Sequence, residues 1–377
     1  MMPLNRRKPI ERQEKADMPL LAVSAAILVF GLIMLFSASV AVGIDRFSDP
    51  NFFIKRQLVS LALGLIAAYI AYRIDYRFWQ KWSFFILLGS IALLVVVLIP
   101  GIGASGQGAQ RWIDLGPMGF QPSELVKLSL IIYLSAWLSE RGSDGVKDLY
   151  TGLLPLSAVL GVIAFLMLSQ PDLGTLIIIC ATAIALYFVG GAHLRHLSAL
   201  IAAGGIAVAA AIALAPYRMA RLTAFLNPSS DLQGAGYHVN QAIIAVGSGG
   251  LLGLGLGHSR QKFLYLPEVT GDSLFAVIAE ELGFFGSNLV VALFLFFFWR
   301  AIHISRNTQD SFGKLCAIGI GTWITMQAFI NIGAMLGVLP LTGLTLPLMS
   351  YGGSSLIVTL VGIGILLNIS KQSKVRA

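Results

Sequence analysis

The stretch Pro19–Val42 reads PLLAVSAAILVFGLIMLFSASVAV and carries no charged side chain. A helix rises about 1.5 Å per residue, so about 20 apolar residues span the roughly 30 Å hydrocarbon core of a bilayer. This run meets that length. It is too long for the apolar part of a signal peptide, and no small-residue cleavage site follows it, so it reads as a retained helix. Working outward, comparable stretches recur at 54–72, 79–99, 122–138, 150–169, 172–190, 196–215, 272–299, 315–336 and 351–369. The fourth and sixth, 122–138 and 172–190, are short and have ionisable residues at or near their starts. The pattern predicts an all-α, polytopic transmembrane bundle of about ten helices.

Composition agrees. Of 377 residues, 56% are hydrophobic and only 12% charged, where soluble chains average about 25% charged. A chain this apolar needs lipid as solvent, which excludes a large soluble core. The net charge of +8, from 26 basic and 18 acidic residues, does not mark a nucleic-acid partner. It is the cytoplasmic excess of Lys and Arg that orients membrane helices. With the N-terminus inside, one side holds Arg6, Arg7, Lys8, Arg12, Lys15, Arg73, Arg77, Lys81, Arg141, Lys147, Arg195, Arg300, Arg306, Lys314, Lys371, Lys374 and Arg376. Both termini are then cytoplasmic. The organisation is a tail at 1–18, a single membrane domain at 19–370 and a short tail at 371–377. The first tail binds anionic lipid or merely fixes topology. Cys180 and Cys316 lie in apolar stretches and suggest neither a disulfide framework nor a metal site.

The outer connections are long at 100–121 and longest at 216–271, between the seventh and eighth helices. The latter carries apolar runs at Ala242–Val246 and Leu251–Leu256 broken by Gly247, Gly249 and Gly250, so it reads as ordered, with short amphipathic or re-entrant helices. No internal repeat is evident, which disfavours a repeat-built transporter. The last outer connection, Gly337–Ser355, reads GVLPLTGLTLPLMSYGGSS. Its prolines and glycines forbid an ordinary helix, and non-helical backbone at membrane depth is tolerated where it is buried or lines a cavity. It is a cavity wall, with Ser350 and Ser354 as candidate substrate contacts, or a tight re-entry turn.

Bases on the outer side run against the topology signal. Arg111, Arg218, Arg221, Arg260 and Lys262 are there to bind an anion such as a lipid diphosphate, or they decorate a solvated loop. Glu124 and Lys127 are three apart on one helix face, as a structural ion pair or a substrate contact. Glu280 and Glu281 read as structural. Asp272 stands where the long loop meets the eighth helix, after Pro267, Glu268, Thr270 and Gly271. It is either an N-cap, which would lower its pKa, or a general base, which benefits from a raised one.

GAQRWIDLG (Gly108–Gly116), FQPSELVKL (Phe120–Leu128), QPDLGT (Gln170–Thr175), GSGGLLGLGLGHSRQKF (Gly247–Phe263), YLPE (Tyr265–Glu268), FAVIAEELGFFG (Phe275–Gly286) and the final LPLTGLTLPLMSYGGSS together resemble the SEDS family of cell-wall glycosyltransferases. The blocks follow the family's order and span nearly the whole chain. Their wording is closer to the cell-division branch than to the elongation branch. Before the key aspartate the family commonly has His-Thr, where this chain has Thr270-Gly271.

The resemblance implies a polymerase that joins lipid II units into glycan on the outer face of the bacterial cytoplasmic membrane. It places the essential aspartate at Asp272, the first-loop pair at Arg111 and Trp112, and the fourth-helix acid and lysine at Glu124 and Lys127. Trp112 stacks on a sugar or anchors at the interface. Arg111, Lys127, Arg218, Arg221, Arg260 and Lys262 are the candidates to hold the undecaprenyl diphosphate leaving group. A divalent cation could assist, although no ligand cluster is visible. The resemblance also implies a class B penicillin-binding transpeptidase and other division proteins as partners. A lipid II flippase is the rival reading, but the polar candidates cluster at the outer ends.

Overall fold

The computed structural model describes residues 16–101, 103–106, 109–114, 119–227 and 234–372. Arg6, Arg7, Lys8, Arg12, Lys15, Lys374 and Arg376 of the tails, and Gly108, Leu115 and Gly116 of the first-loop motif, lie outside the described residues. The chain is an all-α polytopic membrane bundle with helices α1 (Met18–Phe47), α2 (Phe52–Arg73), α3 (Tyr76–Val97), α4 (Pro122–Lys147), α5 (Leu154–Ser169), α6 (Leu173–Val189), α7 (Leu194–Ala213), α8 (Pro216–Leu226), α9 (Ala235–Ser248), α10 (Leu274–Asn307), α11 (Ser311–Met335) and α12 (Gly353–Lys371). A π-helical turn, Leu149–Leu153, leads into α5.

Among the described residues, eight helical segments are long and apolar enough to cross a membrane. The expected fourth and sixth spans fall outside that set for separate reasons. α4 is long but polar, with Glu124 and Lys127 near its start, while α6 is apolar but only 17 residues. Helix starts follow capping chemistry: Asp17, Asp172 and Asp310 each accept a backbone N–H of the first turn of α1, α6 and α11.

α11 and α12 form the inner layer, with 72% and 83% of their apolar windows buried, whereas only 11% of α7 is buried. α2 lies tightly on α12, since a Cβ on Gly364 would come within 2.4 Å of the Ala68 carbonyl oxygen. The perimeter displays Phe85, Phe165, Phe188 and Ile206, large apolar side chains that suit hydrocarbon and not water. At one end of the bundle Asp17 pairs with Arg300, and its N–H bonds Ser370 at 3.0 Å.

The connections at the opposite end build the site. The loop expected at 100–121 contains a small antiparallel sheet in the order β1 (Gly103–Gly106), β2 (Ala109–Asp114), β3 (Gly119–Phe120). The connection from α7 to α10 contains the helices α8 and α9. Its glycine-rich part completes a broken helix. α10 is interrupted at Gly283, where φ is +65°, and the freed backbone groups pair with the loop. Leu254 N donates to Glu280 O at 3.0 Å, Gly255 N to Glu281 O at 2.9 Å, and Phe284 N to Gly250 O at 2.9 Å. Lost helical hydrogen bonds are thus replaced from within the protein, as an apolar environment demands.

Candidate active site

Asp272 lies two residues ahead of α10, not inside it, so the expected start of the eighth span at 272 moves to Leu274. The N-cap position belongs to Ser273, and its hydroxyl makes no capping bond. It donates to Pro267 O at 2.7 Å instead. Asp272 is therefore not the N-cap.

The turn that presents Asp272 is held from several sides. Gly271 N donates to Glu268 O at 2.9 Å, and Tyr351 N to Thr270 O at 2.8 Å. Asn331 on α11 donates through Nδ2 to both Asp272 O and Leu344 O at 2.7 Å. His238 on α9 places Nε2 2.6 Å from Ser273 Oγ. With the Ser273 hydrogen given to Pro267, Nε2 carries the hydrogen of that pair. Burial, with help from Arg221, pushes the His238 pKa down to about 4, so the ring stays neutral.

Burial pushes the Asp272 carboxyl up to about 7, Glu268 adds like-charge repulsion, and Arg221 opposes both. A carboxylate tuned to neutrality suits proton abstraction. Arg221 is exposed on α8, its charge bears on Asp272, and its Nη1 reaches only Leu341 O, at 3.5 Å.

The other candidate cations are engaged elsewhere. Arg111 on β2 donates through Nε to Gln170 O at 2.9 Å and through Nη2 to Pro171 O, which latches the sheet to the α5–α6 turn. Arg218 bonds Tyr217 Oη at 2.7 Å and Ala211 O at 2.9 Å. Lys262 forms a buried ion pair with Glu281 at 2.8 Å and also bonds Ser37 and Gly257 O. Arg260 is exposed, and its side chain makes no hydrogen bond or ion pair among the described residues. Glu280 accepts from Arg260 N at 3.0 Å, Gln261 N at 3.3 Å and Ser259 Oγ, so it and Glu281 brace the loop, the structural part expected of them.

Glu124 and Lys127 do pair, at 2.9 Å and fully buried. Lys127 also donates to Gln327 at 2.7 Å and lies 5.2 Å from the centre of the Trp323 indole. Gln327 in turn donates to Thr345 O at 3.0 Å. Gln327 and Asn331, one helical turn apart on α11, thus grip neighbouring carbonyls of the 344–345 segment, and this segment links the Lys127 pair to the Asp272 turn. Ser350 Oγ accepts from Leu346 N at 3.0 Å. Ser354 Oγ accepts from Gln121 N at 3.0 Å and donates to Gly119 O at 3.1 Å, which ties α12 to the sheet. Trp112 packs against Gly119, its Cε3 3.1 Å from where a Cβ would stand.

Sequence reasoning missed His238, Gln327 and Asn331. The last two had a readable signal, amide side chains four apart in the apolar second half of the helix, which points inward to a partner. Among the described residues, no group of three or more His, Cys, Asp or Glu side chains could hold a metal ion.

The family model described as cell cycle protein, FtsW/RodA/SpoVE, matches residues 18–375. A protein of Nitrosococcus halophilus named "Probable peptidoglycan glycosyltransferase FtsW" is 45% identical over 95% of this chain and 93% of its own length. Stage V sporulation protein E of Bacillus subtilis is 40% identical over 96% of this chain and 99% of its own. Among solved structures, a chain described under "Structural coordination of polymerization and crosslinking by a peptidoglycan synthase complex" superposes with a TM-score of 0.79 at 29% identity, covering 95% of this chain and 98% of that one. The crystal structure of the rod shape determining protein RodA of Thermus thermophilus gives 0.70 at 28% identity, covering 95% and 97%.

Proposed function

Because the chain belongs to the FtsW/RodA/SpoVE family of cell cycle proteins, we infer that it is a peptidoglycan glycosyltransferase acting on lipid II in cell-wall synthesis. The observation that carries the chemistry is Asp272: a turn-mounted carboxyl tuned to about 7, beside Arg221.

In the proposed reaction the sugar 4-hydroxyl of the acceptor lipid II gives its proton to Asp272. Its oxygen attacks the anomeric carbon of the growing strand. The bond from that carbon to the diphosphate oxygen breaks, and undecaprenyl diphosphate leaves with the electron pair. Attack opposite the leaving group inverts the anomeric centre and makes the β-linkage. Arg221 and Arg260, whose guanidinium groups keep donors to spare, meet the diphosphate charge. Arg111, Arg218, Lys127 and Lys262 have donors committed inside the protein, so their part, with Glu124, Trp112, Ser350 and Ser354, is to shape and hold the walls around the substrate.

The wider setting is also a proposal. The chain is placed in the bacterial inner membrane as one domain of ten crossings, both tails in the cytoplasm and Asp272 facing outward. It works at the division septum with a class B transpeptidase. A likeness to a chain from a complex that coordinates polymerization and crosslinking supports that pairing. Purified protein, with and without the transpeptidase, should make glycan from lipid II in detergent, where there is nothing to cross. A chain that moves lipid II across vesicles yet makes no polymer under any of these conditions would contradict the assignment.

A further inference from the structure

A cleft of about 490 Å³ lies between α3 and α4, at the end of the bundle opposite Asp272. Ligand pockets typically span roughly 300–1,000 Å³, and no part of the proposed reaction uses this one. Arg77 and Lys81 stand one turn apart in the first two turns of α3 and line its mouth with Gln80. Phe84, a turn deeper on α3, and Tyr133 and Trp137 on α4 line its interior. The antiparallel run of the helices thus puts polar groups at the membrane boundary and aromatic groups toward the hydrocarbon.

The charge at the mouth is only partly offset by the protein. Among the described residues, neither Arg77 nor Lys81 has a carboxylate within ion-pair distance. Glu140 also lines the mouth and offsets one positive charge. Arg141, outside the cleft lining, stacks on Trp137 with its guanidinium carbon 5.0 Å from the ring centre. The cleft is therefore cationic at the boundary and aromatic inside, and Trp82 and Phe85 are exposed nearby on α3.

We propose that this cleft binds one anionic phospholipid, the headgroup phosphate held by Arg77 and Lys81 and part of an acyl chain lying against Phe84, Tyr133 and Trp137. A basic pocket between membrane helices at the headgroup level is the expected form of such a site. Glu140 restricts it to a headgroup of low charge, since a second negative group would meet that carboxylate.

The test titrates delipidated full-length protein with phosphatidylglycerol, phosphatidylcholine or inorganic phosphate and reads bound lipid by native mass spectrometry. Phosphatidylglycerol should be retained about ten-fold more tightly than phosphatidylcholine. Arg77→Gln with Lys81→Gln should remove that preference, and Glu140→Gln should increase it. Lys147→Gln, an exposed cation at the same end and outside the cleft, should leave it unchanged. Inorganic phosphate should not displace the lipid.

A second readout needs no charge change. Phosphatidylglycerol with brominated chains should quench a component of tryptophan fluorescence that Trp137→Phe removes. Equal retention of both lipids, an equal loss in Lys147→Gln, displacement by phosphate alone, or quenching unchanged in Trp137→Phe would each overturn the proposal.

Discussion

His238 Nε2 stands 2.6 Å from Ser273 Oγ, which joins the loop helix α9 to the residue that follows Asp272. Ser273 passes its own hydrogen to Pro267 O, so the imidazole fixes the turn without taking a proton itself. His238→Ala should lower the turnover of lipid II by about ten-fold with little change in its KM, because a small misplacement of the base costs rate. His238→Gln, which keeps a donor, should recover most of it. Steady-state kinetics on both variants check this.

The position of Asp272 predicts the pH dependence. Its carboxyl is raised to about 7, so it is protonated and inactive as a base below that value and ionised above it. The rate should climb about ten-fold per pH unit below about 7 and level off above it. Stability runs the other way. The folded-state pKa exceeds the ordinary 3.8, so the folded protein holds the proton longer and loses stability as pH rises from about 4 through 7. Asp272→Asn should therefore melt higher than the wild type at about pH 8, with the gap closing near pH 4. Thermal unfolding in detergent across that range measures it.

Lys262 and Glu281 form an ion pair whose side chains are only 5% and 0% exposed. Removing one partner strands a buried charge, so Lys262→Ala should cost about 3–5 kcal/mol of stability. Lys262→Met combined with Glu281→Leu should cost less. Thermal unfolding separates this outcome from a role in substrate binding, which would leave Lys262→Ala folded and change KM.

Gly253 sits where the glycine-rich loop crosses the break in α10. Its φ is +80°, and an added Cβ would come within 2.2 Å of Glu281 O. Gly253→Ala should destabilise by more than about 1 kcal/mol and lower the folded yield. Gly161→Ala on α5, with nothing within 4 Å of the new methyl, should be neutral or slightly stabilising. Comparing detergent-solubilised yield and melting temperature of the two variants tests the contrast.

The membrane helices were legible because a bilayer imposes one length on every crossing. The first expected stretch, 19–42, lies inside Met18–Phe47, and the eighth, 272–299, differs from Leu274–Asn307 mainly at its far end. The three strands between Gly103 and Phe120 were not legible, since they are short and without clear alternation. Asp272 could be singled out by its place at a loop–helix junction. Which cations meet it could not, because Arg111 and Lys262 find partners in Gln170 and Ser37, far away in the chain. The His238–Ser273 bond, 35 residues apart in sequence, is of the same kind.

The most direct test is glycan synthesis from purified, labelled lipid II by the wild type and by Asp272→Asn, both shown to be folded. A proton-accepting carboxylate at this position predicts polymer from the wild type and none from the variant, with lipid II still bound. Polymer made by Asp272→Asn at near the wild-type rate would contradict it.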